Sequence, residues 1–153
     1  MTRAQFFDLY NKLQGVRYHT DNTKFSYFLI KNIKLIESEI VKLNEIIKPP
    51  EDFLAFEKER LLVCKNFAKK DENDQPIINN DEFLIENFEE FNKNLEPVKK
   101  KFEQVLMQRQ SQIDIYNNML DEELELELVH VGPDDLPSGI TSNELEDIYP
   151  ILA

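Results

Sequence analysis

The chain has 153 residues, of which 41% are apolar, with one cysteine and a formal net charge of −12. That composition supplies a core for one domain over residues 1–153, and no run approaches the roughly 18 apolar residues of a membrane crossing. The acidity argues against direct binding of nucleic acid, because affinity for phosphates rests on clustered Lys and Arg.

The charge is unevenly spread. Residues 1–109 hold all 18 Lys and Arg and 19 of the acids, whereas residues 110–153 hold 11 acids and no Lys or Arg. Such an asymmetry marks either a solvated face or an interaction segment, here an acidic module over 121–153 integral to the domain. The opening MTRAQFFDLY lacks an apolar stretch of signal-peptide length.

Thr2 and Gln5 stand at capping-box spacing, followed by Phe6, Leu9, Tyr10 and Leu13 on one helical face and by Gly15 as a stop. A first amphipathic helix is predicted there. After the polar HTDN, the residues Leu29, Ile33, Ile36, Ile40, Leu43 and Ile47 form a heptad seam that predicts a helix over 23–48. Such a seam packs within one chain or between two copies. Pro49 and Pro50 end it, and a further helix over 51–70 carries Phe53, Phe56, Val63 and Phe67. The short turn predicts that these two helices pack as an antiparallel hairpin.

The tract KKDENDQPIINNDEFLI has two short apolar runs around NNDE and predicts a β-hairpin near 76–86. Asn87 and Glu90 then open a long helix, 87–121, that Pro97 should kink or split. In LDEELELELVHV, alternation places Leu124, Leu126 and Leu128 on one side of an extended chain and Glu123, Glu125 and Glu127 on the other. This predicts a strand over 123–131 that joins the hairpin in a small sheet, because a lone strand leaves its backbone unpaired. Thr141 and Glu144 signal a closing helical turn, with Ile151 and Leu152 tucked against the sheet. The expected fold is mainly α: an antiparallel helical hairpin plus a long kinked helix, with a small β-sheet.

Catalytic signals are missing. His19 and His130 have no second ligand at metal-binding spacing, and three glycines provide no phosphate-cradling loop. DENDQPIINNDE offers Asp71, Asn73 and Glu82 at three calcium-loop positions, but Gln75 and Pro76 occupy the places of an acid or amide and of the central glycine. Cys64, within LLVCKNF, reads as a small buried hydrophobe. No cofactor or metal and no enzymatic activity are expected.

KNFAKKDENDQPI, the acidic alternation and DDLPSGITSNELEDIYPIL, in that order, resemble small uncharacterised helical proteins encoded in tailed-bacteriophage genomes. The resemblance spans about residues 25–152 and implies a viral context, in host cytoplasm or virion. It transfers no activity and no functional residues. The expected function is that of a non-enzymatic phage accessory protein acting through a protein partner or self-association, as a virion or assembly component. The alternative is an acidic inhibitor of a host defence or nucleic-acid enzyme that imitates phosphates. The candidate partner-binding face is Glu123, Glu125, Glu127, Asp134 and Asp135.

Overall fold

Thr2 starts the first helix as its spacing predicts: its hydroxyl accepts from the Gln5 amide at 3.2 Å, and the Gln5 side chain accepts from the Thr2 amide at 2.8 Å. In the computed structural model, which describes Met1–Ala153, this helix is α1, Arg3–Gly15. The chain is mainly helical, with six α-helices and one two-stranded antiparallel sheet. Its contacts divide it into two compact units, Met1–Ile47 with Asp114–Ala153, and Lys48–Ile113.

In the first unit, Asn22 caps α2, Thr23–Ile47, by accepting from the amides of Lys24 and Phe25 at 3.0 Å each. The seam on α2 is a core face. Leu29, Ile33 and Ile36 meet Phe6, Leu9 and Leu13 of α1, together with Val131, Ile148 and Ile151 from the C-terminal segment. Burial of these aliphatic and aromatic side chains stabilises the unit by about 1.5–3 kcal/mol each. The C-terminal segment ends in α6, Ser142–Asp147, and a 3-10 turn, Tyr149–Ile151.

In the second unit, α3, Glu51–Phe67, packs against α4, Phe88–Lys101. Phe56 meets Phe102 at 5.8 Å between ring centres and Phe67 meets Phe91 at 6.4 Å, so the two helices run antiparallel. Between them β1, Ile78–Asn79, pairs with β2, Glu82–Phe83. Asn80 and Asp81 connect the strands at φ 49° and 64°, the left-handed pair that a tight hairpin turn requires.

Several expectations are corrected. Within the second unit the antiparallel helix pair is α3 with α4, and within the first α2 buries Leu29, Ile33 and Ile36 against α1 and the C-terminal segment. Helix α3 stops at Phe67 instead of residue 70, because Ala68 turns extended and bridges to Ile85. The long helix does not break at Pro97, which lies inside α4. It breaks at Phe102, whose φ of −107° and ψ of 19° separate α4 from α5, Glu103–Asp121.

The strand predicted over 123–131 does not join the hairpin. Its residues form no ladder, and the sheet holds two strands only. Glu123 bridges to Thr2 at one end of the segment and Val131 bridges to Leu152 at the other. The physical reason is a side chain. Asn32, fully buried on α2, donates from Nδ2 to the Val129 carbonyl and accepts at Oδ1 from the Val129 amide, both at 2.8 Å. Its amide group supplies the hydrogen bonds that a neighbouring strand would have supplied. The hairpin finds its own extended neighbour locally, where Lys69 donates to Leu84 at 2.7 Å and accepts from Ile77 at 2.8 Å.

Candidate functional site

The alternation in LELEL sets the faces of the acidic segment even without a sheet. Leu124, Leu126 and Leu128 pack against the core of the first unit, while Glu123, Glu125 and Glu127 are exposed. A one-residue slip would bury three carboxylates, so the register is firmly set. The main chain is held at Leu124, which donates to the Met1 carbonyl at 2.9 Å, at Val129 by Asn32, and at Val131, which donates to the Ile151 carbonyl at 2.7 Å. Between these points Leu128 donates to Leu126 at 2.9 Å, a tight turn centred on Glu127.

The candidate acids do not share one environment. Asp134 is exposed, but Asp135 is partly covered and pairs with Lys24 at 2.8 Å, while its carbonyl accepts from Asn22 Nδ2 at 3.0 Å. Asp135 therefore anchors the 3-10 turn Pro133–Asp135 to the start of α2. Glu122 is likewise committed, to Arg3 at 2.7 Å. The exposed carboxylates that remain on the segment are Glu123, Glu125 and Glu127, with Asp134 further along.

Beside them lies a groove of about 500 Å³ lined by Met1, Phe6, Leu124, Glu125, Leu126, Glu127, Leu128 and His130. Its lining mixes the apolar side chains of Met1, Phe6 and the three leucines with the exposed Glu125, Glu127 and His130. The alternation itself marks the residues of this groove on the C-terminal side. Met1 and Phe6 come from the other end of the chain and carry no local signal of the pairing.

A second polar cluster forms where Tyr18, His19 and Thr141 converge on Glu144. The Tyr18 hydroxyl donates to Glu144 Oε1, from which His19 Nε2 lies 3.0 Å away, and the Thr141 amide and hydroxyl donate to Oε2 at 2.7 and 2.8 Å. The Tyr18 hydroxyl first, and then the Thr141 amide and hydroxyl, hold the Glu144 carboxyl down to about 2, from an ordinary 4.5. The same hydrogen bond raises the Tyr18 phenol. These contacts fasten the loop after α1 to α6. Both oxygens of Glu144 are thus engaged in capping and cross-linking.

Stability should carry the sign of this shift. A carboxyl with a folded value below its unfolded value stabilises the fold above the unfolded value and loses that contribution as pH falls toward the folded one. The difference in melting temperature between wild type and Glu144→Gln should therefore be constant from pH 7 to about 5 and narrow between about 4.5 and 2. A difference that stays constant down to pH 2.5 would contradict the assignment.

The turn with calcium-loop spacing is otherwise employed. Asp71 Oδ1 accepts from the amides of Asn73 and Gln75 at 2.8 and 2.9 Å, and Lys70 pairs with Asp74 at 2.7 Å. Asp74 takes a left-handed φ of 61°. No group of His, Cys, Asp and Glu side chains is placed to hold a metal ion. Cys64 is buried, with the Arg60 guanidinium 3.7 Å from its sulfur. No helix is long and apolar enough to cross a membrane.

Comparison of the chain with protein families, curated proteins and solved structures finds no match.

Proposed function

We propose that this chain is a non-enzymatic phage accessory protein that works through protein–protein contacts, as a virion or assembly component in the host cytoplasm or the virion. The carrying observation is the outward row Glu123, Glu125 and Glu127, held in place by three leucines packed inward and by Asn32. A carboxylate row fixed from behind presents charge with little loss of side-chain freedom in the supporting residues, which favours recognition of a basic surface. The second unit adds apolar area, with Leu54, Leu62, Ile78 and Phe88 each more than half exposed. Large exposed apolar side chains of this kind are common where proteins meet.

The reading is tested with a triple change of Glu123, Glu125 and Glu127 to Gln. Thermal stability should move by less than about 0.5 kcal/mol, because the three side chains are exposed. The folded variant should lose the partner that the wild type retains in a pull-down from phage-infected cells at low salt. Retention of that partner by the folded variant would contradict the acidic face as a contact surface. If the partner is a nucleic-acid enzyme released steeply as salt rises, the protein is the phosphate-imitating inhibitor instead.

A further inference from the structure

We infer that two copies of this chain pair through the outward face of α2, antiparallel, about a twofold axis that passes between Leu35 and Ile36. The inference goes beyond the acidic-face reading, because it concerns another surface of the first unit and stands or falls without it.

The helix itself supplies the first observation. One face of α2 is buried in the core, yet the far side is not the uniformly polar surface that a one-sided helix carries. Tyr27, Ile30 and Val41 are 58%, 45% and 55% exposed. With the exposed Lys34 and Glu37 they recur at alternating spacings of three and four residues, a second heptad seam turned to solvent. Side chains at those spacings stack on one side of a helix. The five therefore form one stripe, apolar at both ends and charged in the middle.

The charges select the occupant. Lys34 and Glu37 form no ion pair within the chain, whereas Glu39 and Lys42, at the same spacing, do. Residues Thr23–Ile36 hold Lys24, Lys31 and Lys34 and no acid, while Glu37–Ile47 hold Glu37, Glu39 and Glu45 against Lys42. A second α2 laid antiparallel sets the basic half of each helix against the acidic half of the other, and opposes the helix dipoles as well.

The register follows from the same stripe. When Lys34 faces Glu37 of the second copy, Ile30 faces Val41 of that copy, because both pairs are centred between Leu35 and Ile36. Twofold symmetry makes each contact twice. A shift of one heptad sets Ile30 against Lys34 in one direction and Val41 against Glu37 in the other. A parallel pairing sets Lys34 against Lys34 and Glu37 against Glu37. The antiparallel register alone joins apolar to apolar and basic to acidic.

Sedimentation velocity of the whole chain tests this, with a reducing agent present so that Cys64 cannot link two copies. A single helix pair buries less than the roughly 1,600 Å² of a standard interface, so dissociation constants on the order of 10–100 μM are expected. The wild type should pass from monomer to dimer as its concentration rises to about 1 mM. Lys34→Glu sets acid against acid at both charged contacts and should weaken the dimer about tenfold or more. Adding Glu37→Lys to that variant re-forms both pairs with their signs exchanged, and should return the constant to within about threefold of the wild type. These side chains are exposed, so circular dichroism and melting should remain native in both variants. A wild type that stays monomeric at about 1 mM would overturn the inference. So would a dimer unmoved by Lys34→Glu, or a weakening that the double variant does not recover. The pull-down with the triple Gln variant decides separately whether the chain acts through its acidic face.

Discussion

Replacing Ile36 with Asp is expected to unfold the unit formed by Met1–Ile47 and Asp114–Ala153. Ile36 is wholly buried on α2, in a cluster with Leu9, Leu13, Leu29 and Val131. No basic side chain belongs to that cluster, so a carboxylate there would lose its water without gaining a partner, and the aliphatic contacts would be lost as well. The combined penalty should exceed about 4 kcal/mol, a large part of the roughly 5–15 kcal/mol that stabilises an ordinary domain. Circular dichroism at 222 nm and near-ultraviolet signals from the aromatic residues would both fall. A variant that kept native signals and a cooperative melt would show that the seam of α2 does not form the core.

Asn32→Leu should have the second largest effect, although it exchanges a polar side chain for an apolar one of similar size in a buried place. The substitution leaves the Val129 N–H and C=O without the two 2.8 Å hydrogen bonds that Asn32 makes. Orphaned polar groups of this kind cost about 1–3 kcal/mol each, so a loss of about 2–5 kcal/mol is expected in urea unfolding. Asn32→Asp should also destabilise, since it keeps an acceptor for the amide but places a negative charge against the carbonyl. If Asn32→Leu were neutral or stabilising, gained apolar burial would outweigh the clamp, and something else would hold the segment in place.

Local chemistry was legible in the sequence; its long-range partners were not. The capping pairs Thr2 with Gln5 and Thr141 with Glu144 are separated by three residues and form as their spacing predicts. The inward leucines and outward glutamates follow from a period of two, which depends only on an extended backbone. What that backbone pairs with depends on Asn32, 97 residues away from Val129. The available signal was a lone amide beside Ile33 on an otherwise apolar helix face, a place where a buried polar group must have a partner.

The same limit explains the other differences. The periodicity of α2 shows that its seam is buried, but not that α1 and the C-terminal segment are what cover Leu29, Ile33 and Ile36. Pro97 signals a break by its missing N–H, yet the interruption comes five residues later at Phe102, whose ring packs against Phe56. The Tyr18, His19 and Glu144 cluster joins residues about 125 positions apart and has no local pattern to announce it.

The central claim is that residues 124–130 are clamped at intervals, at Leu124 and Val129 and by the neighbouring Val131, and leave the main-chain amides of Glu125 and Glu127 unpaired. Native-state amide hydrogen exchange followed residue by residue tests it most directly, because protection reports which amides are bonded in the folded protein. The amides of Leu124, Val129 and Val131 should be protected, and those of Glu125 and Glu127 should exchange at close to the rate of an unstructured chain. Protection of Glu125 and Glu127 equal to that of Val129 in the isolated protein would contradict the claim, since their main-chain groups would then already be paired.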